Sequence, residues 1–141
     1  MGIISMQYID LAALGNFSAY IGTSIVALLI FKYLVVLITP YNEWKLIKEQ
    51  KNTAAAIALG GSVVGYAIAI SGVLRNAVNF YDFITWSVVA LITQIIMITI
   101  VRFVFMPKFV ARIENDETGA AVIAAAMYIA VGLLNAGCMT Y

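Results

Sequence analysis

Histidine is absent from this sequence, which removes the commonest metal ligand and the usual catalytic base near neutral pH. Cysteine occurs once, as Cys138, so no internal disulfide can form and cysteine usage carries no message about compartment. Charge is scarce. Only 11% of the residues are Asp, Glu, Lys or Arg, where an ordinary soluble domain carries about 25%. The formal net charge of +1 gives a nucleic-acid partner no electrostatic support, and none is expected. Carboxylates are absent from the middle of every long apolar stretch. Small proton-coupled exporters need such a group to trade protons for substrate, and nothing here can serve. A Ser/His/Asp set, a phosphate loop and a metal-ligand cluster are likewise missing, so the expectation is no enzyme activity and no cofactor.

What the chain does hold is apolar length. Of its 141 residues 64% are hydrophobic, and the mean hydropathy is +1.00. Four runs, Phe17–Thr39, Thr53–Leu74, Phe83–Met106 and Thr118–Cys138, either lack a charge or hold one near an end. At about 1.5 Å per helical residue each can cross a hydrocarbon layer of about 30 Å. The expected fold class is all-α: a polytopic membrane protein with four transmembrane helices.

The runs pair off. Pro40 ends the first, a short charged link with Trp44 follows, and Thr53-Ala-Ala-Ala opens the second. The same grammar returns at Pro107, a charged link and Thr118-Gly-Ala-Ala. Two helix–link–helix units, residues 1–75 and 76–141, are the simplest account. An even helix number makes such repeats parallel, unlike the inverted repeats of many alternating-access transporters. Residues 1–16 carry no Lys or Arg, which argues against a cleavable signal peptide. Met-Gly without Ser or Thr at position 6 argues against myristoylation. This segment either lengthens the first helix or lies in the interface. Phe80, Tyr81, Phe83 and Trp86 read as an aromatic belt.

Lysine and arginine set the expected orientation. Lys45, Lys48, Lys51, Lys108 and Arg112 lie in the two links, with Lys32 and Arg102 near the same helix ends; Arg75 stands alone on the other side. The positive-inside rule then puts both links in the cytoplasm and both termini outside.

Several residues are functional candidates, each with a plainer reading. Lys32, Gln94 and Arg102 are the candidate polar lining. Lys32 lies eight residues before Pro40, about 12 Å along a helix, where it either lines a cavity or snorkels to the headgroups. Arg102, five residues from Pro107, snorkels more easily still. Gln94 in mid-membrane either bonds another helix or lines a path. Gly61, Gly65 and Gly72 lie on one stripe with Ala58 and Ala69, and Gly132 on another with Ala121, Ala125 and Asn135. Such stripes let backbones approach closely and are silent on whether the partner is in the same chain. Asn76, Asn79 and Asn135 either form an outer vestibule or cap helices. Glu114, Asp116 and Glu117 either hold a divalent cation or complement a helix dipole.

The stretches TPYNEWKLIK, NTAAAIALGG and GYAIAIS, with the terminal NAGCMTY, resemble the YjfL family, domain of unknown function three-fifty. The resemblance spans nearly the whole chain. It implies a bacterial inner-membrane protein built from duplicated two-helix units, and a setting beside membrane-remodelling proteins and amide ligases, that is, envelope or membrane stress. It nominates Asn42, Glu43 and Trp44, with Lys45 and Lys48, as a docking link. The leading expectation is a non-enzymatic, lipid-embedded homo-oligomer whose links dock a cytoplasmic or membrane-remodelling protein. The alternative is a small cation or polyamine channel or transporter.

Overall fold

The computed structural model describes residues 11–39, 43–105 and 108–139; these are helical apart from short links, with no strand among them. Helix α1 covers Leu11–Ile38, a short α2 covers Glu43–Lys48, α3 covers Thr53–Asn76 and α4 covers Phe80–Ile100. A π-helical turn, Val101–Phe105, extends α4; a short α5, Phe109–Glu114, and α6, Thr118–Cys138, complete the order. Four of these helices are long and apolar enough to cross a membrane. Residues 11–16 continue α1 rather than leaving it. At 28 residues that helix is about 42 Å long, more than the hydrocarbon layer requires.

Local chemistry explains where the helices begin. Asn52 caps α3 by accepting from Ala55 N (2.8 Å), and Asn79 caps α4 by accepting from Asp82 N (2.8 Å). Asp82 answers by accepting from Val78 N (3.1 Å), so a negative charge sits at the positive end of the helix dipole. The second link stops in a Schellman turn. Asp116 N bonds Ile113 O (2.9 Å) and Glu117 N bonds Arg112 O (3.0 Å), with Asp116 in the left-handed region (φ 58°) where glycine is usual. Lys51 takes the same hand (φ 51°). Each of these two residues stands two before the threonine that opens a long helix.

Helix α3 is the axis of the bundle. In its most apolar stretch 56% of residues are buried, against 17% in α1, which lies along the outside. The closest pair is α3 with α6, running parallel. A Cβ on Gly61 would strike Ala125, one on Gly65 would strike the Tyr128 carbonyl, and one on Gly132 would enter the Gly65 backbone. Farther along, a Cβ on Gly72 would meet Ala136 Cα at 2.6 Å. Where lipid tails solvate apolar surface as well as protein does, such backbone proximity is what holds helices together. The glycine stripe of α3 therefore faces a helix of its own chain.

Aromatic rings hold α1. Tyr20 packs on Phe80 and Phe83 at centroid distances of 5.5 and 5.2 Å, and Phe31 stacks on Tyr66 at 4.6 Å. The expected belt is thereby divided: Tyr81 is 82% exposed, while Phe83 is fully buried because α1 covers it.

Candidate functional site

Two features stand apart from apolar packing: a file of buried polar side chains along α4, and a face formed by the two links.

The file begins near the Asn79 end of α4. Tyr66 of α3 donates its hydroxyl to Ser87 O (3.0 Å), and Asn135 of α6 donates to Ala90 O (3.2 Å). One turn farther, Gln94 has no exposed surface and donates through Nε2 to Tyr128 O (3.0 Å). The glycine at 65 makes room for it, since a Cβ there would lie 2.8 Å from that nitrogen. The Ser87 hydroxyl and Gln94 Oε1 are buried with no hydrogen-bond partner. At the far end comes Arg102, which the π-helical turn carries. Its Nε donates to the Tyr128 hydroxyl (3.2 Å) and its Nη1 to Thr39 Oγ1 (2.7 Å). The guanidinium lies 4.9 Å from the centroid of the Phe109 ring.

Arg102 is only 6% exposed, so the snorkelling expected of it does not occur: the side chain turns into the bundle. Arg at the centre of a membrane helix costs about 2.5–3.5 kcal/mol on insertion scales, and less toward the end where Arg102 stands. Two hydroxyl acceptors and an aromatic face oppose that cost. The candidate lining is thus split. Gln94 and Arg102 meet on Tyr128, while Lys32 stays half-buried on the outer helix α1. Two cavities of about 320 and 200 Å³ open sideways on either flank of α4, against α6 and α1 respectively, and neither Gln94 nor Arg102 lines them.

Tyr128 and Thr39 were not recognisable as partners of Arg102 from spacing alone. One signal was present: Tyr66 and Tyr128 are lone tyrosines deep in Gly- and Ala-rich helices, and a buried tyrosine hydroxyl normally finds a partner.

The link face is built by two cross-braces. Asn52, which caps α3, also donates through Nδ2 to Ile113 O (2.8 Å). Asp116 of the second link accepts from Ala54 N (2.8 Å) in the first turn of α3. The acidic turn thus reaches two helix N-termini: Asp116 accepts from the first turn of α3, while Glu117 stands at the N-cap of α6 without a side-chain cap bond. Among the described residues no group of three His, Cys, Asp or Glu could hold a metal. Both links sit at one end of the bundle. Lys45, Lys48, Lys51, Lys108 and Arg112 are exposed there, among Glu49, Glu114 and Glu117, and Arg112 pairs with Glu117 at 4.0 Å. Leu46, Phe109 and Ile113 point inward and anchor the face. Asn42, and the side chains of Glu43 and Trp44, lie outside the described residues. At the opposite end Asn76 donates to Gly72 O (2.8 Å), so with Asn79 and Asn135 all three asparagines serve helices.

Comparison with known proteins agrees with this architecture. The chain is similar to the inner membrane protein YjfL (UPF0719) of Escherichia coli K12, 38% identical over 125 residues, covering 89% of this chain and 93% of the relative. The transmembrane protein YshE (UPF0719) of Bacillus subtilis 168 is 29% identical over 118 residues, or 82% and 85% of the two chains. No solved structure matches. The model of a family described as Domain of Unknown Function (DUF350) matches residues 8–139, and this integral membrane protein belongs to that family.

Proposed function

We propose that this protein is a non-enzymatic component of the bacterial inner membrane whose two links together form a cytoplasmic docking face for another protein, in an envelope- or membrane-stress setting. The observation that carries the reading is the bracing of the links into one plate by Asn52 and Asp116. Two independent loops would not need a buried asparagine bonded across 61 residues of sequence. The exposed mixed charge on that plate suits an acidic and basic protein surface better than a small ligand. The relatives' names support an inner-membrane location. Lysine and arginine at the link end support the cytoplasmic orientation, with both termini outside.

Self-association needs a surface other than the glycine stripe, which α6 takes up within the chain. Exposed apolar side chains of α1, α4 and α6 are left for it, and Gly15 and Gly22 on α1 open onto no atom within 4 Å. The pore reading is less well supported, because Gln94 and Arg102 are packed into the bundle rather than lining a cavity.

Photo-crosslinking in living cells tests docking. A photoreactive amino acid at Lys48 or Glu114 is expected to trap a discrete protein, and charge reversal at Lys45 and Lys48 to abolish the product trapped from position 114. The same probe at Phe103, which is 74% exposed on the lipid side, should trap none. Products at Phe103 alone, or robust cation or polyamine flux into liposomes holding only this protein, would overturn the reading.

A further inference from the structure

Arg102 does more than satisfy itself. Thr39, which receives its Nη1 hydrogen, is the last described residue before the first link and donates its own hydroxyl to Val35 O (2.6 Å). Phe109, which receives its face, opens α5 in the second link. Tyr128, which receives its Nε hydrogen, belongs to the central α3–α6 pair. One buried side chain thus joins the end of α1 and the start of α5 to the bundle core. The turn that carries it is π-helical over five residues. Such turns hold one residue more than an α-helical turn, are rare, and occur often at functional places. Relaxing it to α geometry would rotate the residues that follow it by about 100° around the axis, carrying Phe109 off the Arg102 guanidinium.

We propose that Arg102 and its π-helical turn form a latch that couples both links to the membrane bundle. With the latch closed, α1's end, α5 and α6 move as one unit. Opening it loosens the first link at its Thr39 end and the second at Phe109, leaving them held by the Asn52 and Asp116 braces to α3, without disturbing the α3–α6 contact, which rests on glycine. This goes beyond docking and does not depend on it: the latch can be tested with no partner present, whereas the crosslinking above tests docking alone.

Hydrogen exchange on the full chain in nanodiscs reads the coupling. The reporters are the amides of Glu49 and Asn52, bonded to Lys45 O and Leu46 O, and those of Arg112, Asn115 and Glu117 in the second link. Arg102→Gln should speed exchange about tenfold in both sets, with α3 and α6 unchanged. Thr39→Val, a milder change that leaves Arg102 in place, should speed the first set only. Arg112→Gln, an exposed control, should leave the first set as it is. The proposal fails if Thr39→Val does not affect Glu49 and Asn52. It fails equally if Arg102→Gln raises exchange throughout α3 and α6, which would make Arg102 a general packing residue.

Discussion

Tyr128 stands between two side chains that are costly to place in a bilayer. Its carbonyl accepts from Gln94 and its hydroxyl from Arg102. Removing that hydroxyl leaves a buried guanidinium without one acceptor, and hydrogen bonds to charged groups are worth more than neutral ones. Tyr128→Phe is therefore expected to lower stability by about 1–3 kcal/mol. Tyr66 supplies the control. Its hydroxyl only adds a neutral donor to Ser87 O, and such interhelical bonds average about 0.6 kcal/mol in membranes. Tyr66→Phe should therefore cost less than Tyr128→Phe in a denaturant titration in mixed micelles. Equal losses would remove the special place given to Arg102.

At the scale of the helix, glycine position matters more than glycine content. Gly132 meets backbone of Gly65, which cannot step aside, whereas a Cβ on Gly60 meets nothing within 4 Å. Gly132→Ala should destabilise by about 1–3 kcal/mol through overpacking. Gly60→Ala should be neutral or stabilise by up to about 1 kcal/mol, because alanine is the better helix former. Thermal unfolding of the two single variants in one detergent decides the matter, and a reversed order would contradict the α3–α6 contact. The same contact changes what Gly61→Leu with Gly65→Leu should do. Since the opposing helix belongs to the same chain, the double variant is expected to insert and then lose bundle packing. A variant that stays folded and merely runs smaller on sizing would show that the stripe joins subunits.

Orientation in the bilayer belongs to the whole molecule. In a Cys138→Ser background, cysteines at Lys48 and Asn115 are expected to resist an impermeant thiol reagent in intact cells, and a cysteine at Val78 to react. Val78 is 80% exposed and serves better than its neighbour Asn79, whose side chain caps α4. Labelling at the two link positions without Val78 would reverse the orientation and move the docking face outside.

Membrane residence, four crossings and both link positions were legible because they depend on composition and run length, which need no partner to be read. The apolar run Thr118–Cys138 matches the helix at both ends, and a threonine start after an acidic turn is a local signal. Partnership was not legible. The glycine stripe announced close contact without saying with what, and three-dimensional packing assigned it to α6. Arg102 read as a snorkelling residue because the nearest water lies along its own helix. Its acceptors sit 63 positions upstream and 26 downstream, a distance in sequence that no local pattern encodes. Asp116 read as a partner of a cation or a helix dipole, and its bond to Ala54 N, like that of Asn52 to Ile113 O, joins residues 62 and 61 positions apart. A hydrogen bond between separate elements depends on where the backbone brings them, and here the glycine-lined approach of α3 to α6 sets that placement.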